Sequence, residues 1–60
     1  VLAYQLVRAG ITAPRARELA IELFCAIEGA FLLSRTTRSA EPIRIAGRAA
    51  TASIRAALGR

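Results

Sequence analysis

Apolar positions recur at helical spacing in three stretches, and nowhere does the strict alternation of a strand appear. The first stretch covers about 1–9, with Leu2, Leu6 and Ala9 on one side, and Gly10 stands where a helix commonly ends. The second opens at Thr12, a suitable N-cap. Pro14 follows in the first turn, where proline gives up a donor that has no helical partner. Ile11 and Ala16 flank that start as a weak hydrophobic staple. This helix is predicted to span 13–36 and to end at Arg35-Thr36-Thr37-Arg38, where cations meet the negative helix terminus. The third, predicted over 40–58, starts near Ser39 as cap. Glu41 sits at its positive end, Pro42 in its first turn and Gly59 at its stop.

The polar positions divide the second helix into two apolar faces. Leu19, Leu23, Ala26, Ile27, Ala30 and Leu33 form the broader one, widened by Ala20, Phe24 and Phe31; Ile21, Cys25 and Leu32 form the other. Arg17, Glu28 and Arg35 separate them along one edge, Glu18 and Glu22 along the other. A helix on the surface of a globular domain carries one apolar stripe. Two stripes predict a sandwiched helix. On the third helix Arg44, Arg48, Thr51 and Arg55 fall on one stripe, and Ile43, Gly47, Ala50, Ile54 and Leu58 lie opposite, beside Ala46, Ala49 and Ala57. Small residues there admit a neighbouring helix at the short end of the usual separation of about 8–10 Å, so this helix too is expected to be buried on most of its circumference.

Composition sharpens that picture. The chain has 60 residues, 55% of them hydrophobic. Domains of this size hide only about 60% of the surface that their unfolded chains expose. Much of the apolar surface is therefore expected to be covered by something outside this sequence. The start at Val1 and the lack of methionine fit a piece of a longer protein. Nine arginines against four glutamates give a net charge of +5, a balance that attracts nucleic acid or anionic lipid when it is concentrated on one face. The plainer reading is that the arginines solvate exposed helix faces. Cys25 is the only cysteine, which excludes an intrachain disulfide and a cysteine-rich zinc site. In the run Leu23-Phe24-Cys25-Ala26-Ile27 it is expected to act as a small buried hydrophobe in a reducing compartment, the cytoplasm. The apolar run 19–33 contains Glu22 and Glu28 and is shorter than the roughly 20 residues that span a bilayer. It also lacks the basic leader and cleavage site of a signal peptide.

Catalytic chemistry finds little to work with. Histidine, aspartate and lysine are missing, and with them the usual acids, bases and metal ligands. Glu18 and Glu22 lie one turn apart, as a carboxylate pair would, but near Arg15 they read as exposed helix glutamates. Gly29 and Gly47 suit close helix approach rather than phosphate binding, since no glycine-rich loop follows a strand. Neither an enzyme activity nor a cofactor or metal site is expected.

The stretches Arg8-Ala9-Gly10-Ile11, 13–20 (Ala13-Pro14 through Leu19-Ala20), Ile27-Glu28-Gly29-Ala30-Phe31-Leu32-Leu33-Ser34-Arg35 and Arg38-Ser39-Ala40-Glu41-Pro42-Ile43 resemble the C-terminal end of TetR-family transcriptional regulators. The likeness covers nearly the whole chain and about the last third of a family member. The resemblance implies an all-α fold: two long antiparallel helices plus the end of a third, forming half of an intersubunit four-helix bundle. It implies that residues 1–60 are the C-terminal part of a regulatory and dimerisation domain whose N-terminal helix-turn-helix domain lies outside this chain. The whole protein would be a bacterial, cytoplasmic homodimer that binds operator DNA through that domain, a repressor released by a small apolar effector. On this reading Ile43, Gly47, Ala50, Ile54 and Leu58, with Ala26 and Ala30, form the dimer interface. Phe24, Ile27 and Phe31 face the chain's own domain and wall a ligand pocket.

The alternative is a basic amphipathic, membrane-active helical peptide, which the arginine stripe would suit. Two-faced helices, helix caps and a lack of tryptophan and lysine anchors weigh against it.

Overall fold

In the computed structural model, which describes residues 2–59, three helices follow one another: α1 (Leu2–Arg8), α2 (Ala13–Thr37) and α3 (Glu41–Ala57). The expected all-helical class holds, and the bounds agree with the apolar periodicity to within a residue or two. Val1, placed in the first helix by its sequence, lies outside the described residues.

Each junction has a local cause. Gly10 adopts a φ of 108°, open to glycine because it has no Cβ. That turn lets the Ile11 N–H donate to the Leu6 carbonyl at 3.1 Å and the Gly10 N–H to Val7 at 3.0 Å. These are the two bonds of a Schellman motif, and the apolar contact that accompanies it is supplied by Leu6 and Ile11, both buried in the core. Thr12 occupies the N-cap of α2 with extended backbone, yet its side chain makes no capping bond. Pro14, at the second helical position, has no N–H to offer it. At the other end of α2, Arg38 takes the left-handed conformation at φ 53°, and the N–H groups of Arg38 and Ser39 both donate to the Ser34 carbonyl. A residue with a Cβ holds that conformation at a cost of roughly 1–2 kcal/mol. Ser39 then accepts the Glu41 N–H at 3.1 Å, the capping bond expected of it, although Ala40 is the residue at the helix boundary.

α2 and α3 form an antiparallel hairpin. The Ser53 hydroxyl donates to Glu22 Oε1 at 2.9 Å near its root, while Ile43 lies opposite Phe31 near its tip. The core is concentrated at the root. Leu6, Ile11, Ala16, Leu19 and Leu23 are buried together, with Leu2, Ala50, Ile54, Ala57 and Leu58 packed against them. Towards the tip the only buried residue among those described is Ala30.

α1 lies over one flank of the hairpin. Ala20, Ile54 and Leu58 are half-buried on that flank, whereas Glu18, Glu22, Ala52 and Ala56 on the opposite one are exposed. Burial departs from expectation on the outer faces. No residue of α3 is fully buried, because within this chain only α2 covers it. Cys25 is exposed rather than buried, because it borders a groove between α2 and α3 that nothing in the chain fills.

Candidate interaction surface

A narrow line of small residues joins the two long helices: Ala26 and Ala30 from α2, Ala46 and Ala50 from α3. Alanine at these positions follows from the helical repeat, four residues apart on each helix. The short side chains leave no bulk to fill the angles between the two cylinders. A groove opens on each side.

The groove on the α1 side has a volume of about 430 Å³ and is walled by Ile27 and Phe31 from α2 and Ile43 and Gly47 from α3, over the alanine floor. Its lining is almost wholly apolar. Phe31 is 53% exposed and Ile43 40%, so neither is satisfied within the chain. On the opposite side a groove of about 400 Å³ is lined by Cys25, Gly29 and Leu33 from α2 and Pro42 and Ile45 from α3, with Ala26, Ala30 and Ala46 as floor. Ile45 is 50% exposed there. Ile21 and Leu32 lie exposed farther round α2. The two-faced character of α2 is thus a property of the hairpin as a whole.

This arrangement regroups the residues that the sequence singled out. Ala26, Ala30 and Ala50 form the seam inside the chain, and Ile54 and Leu58 pack on the chain's own core. Ile43 and Gly47, assigned to a partner, stand in one groove with Ile27 and Phe31, assigned to a ligand pocket. Phe24 is exposed on the same side of α2 but outside that groove. The second groove escaped the sequence reading as a unit. Its signal was the register of Gly29 and Leu33 against Ile45, which requires knowing how α3 is turned on α2.

The third surface is polar. Arg44, Arg48 and Arg55 line an open cleft with Gly47, Thr51 and Ala52 on the back of α3. Thr51 returns its hydroxyl to the Gly47 carbonyl at 3.0 Å, and the one ion pair among the described residues is elsewhere, Arg15 with Glu18 at 3.7 Å. A solvated stripe of this kind is expected to stay clear of DNA. Changing all three arginines to glutamine in the intact protein should leave the salt dependence of any DNA affinity unchanged; a slope reduced by about three units would show that they meet phosphates.

Among the described residues no three His, Cys, Asp or Glu side chains are grouped to hold a metal ion, and no helix is long and apolar enough to cross a membrane. Nothing in the two grooves offers an acid, base or nucleophile apart from the Cys25 thiol. What they offer is shape and apolar area, the means by which helices recognise helices or small apolar molecules.

No curated protein and no solved structure matches the chain. A family model does match, over residues 1–49: that of the C-terminal domain of LmrA/YxaF-like transcriptional regulators, within the TetR group. The match takes in α1, α2 and the first half of α3, and with them every residue that lines the two grooves except Ala50. The chain therefore belongs to the family of LmrA/YxaF-like TetR-type transcriptional regulators, as part of their C-terminal domain.

Proposed function

We propose that this segment is the homodimerisation element of a ligand-responsive, DNA-binding repressor, with the α2–α3 hairpin joining its counterpart in an intersubunit four-helix bundle. The observation that supports this reading most strongly is the pair of unpartnered apolar grooves on either side of one helix hairpin. A hairpin sandwiched between its own regulatory domain and a partner needs two such faces.

The position of α1 supports a division of the roles. It lies on the flank of Ile27, Phe31, Ile43 and Gly47, so that flank continues the surface already turned towards the chain's own domain. Phe24, Ile27 and Phe31 then border the effector site, as their apolar side chains suit. The partner takes the other flank, where Gly29 and Ala49 let a helix come close and Leu33 and Ile45 supply bulk. The effector is small and apolar, and the DNA contact belongs to a helix-turn-helix domain of the whole cytoplasmic protein. No catalytic role is proposed.

Sedimentation equilibrium of the intact protein with and without anionic vesicles tests this against the membrane-active alternative. A dimer whose dissociation constant is indifferent to lipid is the expected result. A monomer that pellets with vesicles would defeat it.

A further inference from the structure

The two long helices carry their charge differently. On α2 the outward polar positions have both signs: Glu18 pairs with Arg15 at 3.7 Å, Glu22 accepts the Ser53 hydroxyl, and Glu28 stands between Arg17 and Arg35 along the other edge. On α3 no acid follows Glu41, and Arg44, Arg48 and Arg55 fall on one stripe, all exposed. None of the three forms an ion pair among the described residues.

Such a stripe does not serve the helix itself. Like charges one turn apart, as on Arg44 and Arg48, destabilise a helix, and an acid four residues away would offset that. Arg44 also lies within four residues of the start of α3, at the positive end of the helix dipole, where a cation is disfavoured. Mixed charges would solvate the face equally well, as they do on α2.

The arginines line a shallow trough about 16 Å long, the rise of eleven helical residues, with Gly47, Thr51 and Ala52 as its floor. Thr51 donates its hydroxyl to the Gly47 carbonyl at 3.0 Å, so the donors left in the trough are those of the guanidinium groups.

We propose that this stripe docks an acidic helix of a partner protein, its carboxylates spaced i, i+4 and i+11 to meet Arg44, Arg48 and Arg55. Guanidinium groups hold carboxylates bidentately, and the small floor admits a helix at close range. A second copy of this segment does not fit the role. Glu18 and Glu22 are its only acids one turn apart, and both are engaged within the chain. No residue lining the trough is aromatic or large and apolar, so it offers neither a stacking surface for single-stranded nucleic acid nor a side chain to enter a membrane. The three arginines line neither apolar groove, and the proposal is independent of what those grooves meet.

The test uses the intact regulator and two labelled, alanine-based helical peptides of about 20 residues. Both contain three glutamates, placed at i, i+4 and i+11 in one and distributed around the helix in the other. Fluorescence anisotropy at low salt is expected to give a dissociation constant about tenfold lower for the first, as three exposed ion pairs of ordinary strength would. Changing Arg44, Arg48 and Arg55 together to glutamine should abolish that preference, with circular dichroism confirming unchanged helix content, whereas Arg17→Gln on α2 should leave it intact. Equal affinity for the two peptides, or a preference that survives the triple change, would overturn the proposal and leave the stripe a solvated face. Tighter binding of an oligothymidylate or of phosphatidylglycerol vesicles, lost with the same triple change, would overturn it in favour of nucleic acid or lipid.

Discussion

Replacing Leu19 with alanine is expected to destabilise the domain by about 3 kcal/mol, the largest effect of any single truncation in this chain. Leu19 is fully buried at 0% exposure, the largest side chain so placed. It belongs to the cluster of Leu6, Ile11, Ala16 and Leu23 that joins α1, α2 and the end of α3. Leucine-to-alanine changes at such positions cost about 2–5 kcal/mol, the lost transfer energy plus the cavity left behind. Collapse is restricted here. The neighbours come from three separate elements, and Ala16 is itself already small and fully buried. Urea denaturation of the intact protein should show the midpoint fall with little change in slope. Because this burial is complete within one chain, the loss should not depend on protein concentration. The contrast is Leu33→Ala, on the outer groove at 54% exposure, whose cost should grow as dilution approaches the dissociation constant of the proposed dimer. A Leu19→Ala protein within about 0.5 kcal/mol of wild type would mean that the core is not where the structure places it.

The second large effect is expected at Ile45. Arginine there would bring a charge into the proposed partner contact, at a cost of about 2–4 kcal/mol per copy when no counter-ion is present. A two-fold interface meets the substitution twice. The dimer dissociation constant should therefore rise by about a thousandfold or more, with loss of operator affinity although no DNA-contacting residue has changed. At 50% exposure in the single chain, Ile45 is replaceable without damage to the root core. Ile54, which by sequence alone is the obvious centre of an interface, is a poorer probe. It is half-buried against Leu19 and Leu23's cluster, so Ile54→Arg would disrupt the folded subunit and the contact together. The matched control is Ile43→Arg, two residues away on the α1 flank, which should change the dissociation constant by no more than about tenfold. Should Ile43→Arg split the dimer while Ile45→Arg leaves it intact, the partner sits on the α1 side and the division of the two flanks is reversed.

The helices were legible before any coordinates because their causes are local. Gly10 can take a φ that ends α1, Pro14 and Pro42 fit only the first turns of α2 and α3, and Ser39 is placed to accept the Glu41 N–H. Each of these depends on neighbours within a turn or so. The two apolar stripes of α2 and the arginine stripe of α3 follow equally from the 3.6-residue repeat.

Which stripe meets what was a different matter. Periodicity assigns a residue to a face of its own helix but says nothing about how one helix is rotated against the next. Ile43 and Gly47 share a stripe with Ile54 and Leu58 in sequence, yet near the tip that stripe borders an open groove and near the root it closes on the core. Ile27 and Phe31 were assigned to one neighbour and Ile43 to another until the antiparallel register of α2 on α3 set them side by side. Cys25 read as a core residue from its apolar neighbours in sequence; it stands instead on the rim of the second groove between α2 and α3, which no part of the chain fills. Local steric and hydrogen-bond preferences determined the elements, while burial, which depends on distances between residues some 20 or 30 positions apart, was decided only when the hairpin closed and α1 settled on one of its flanks.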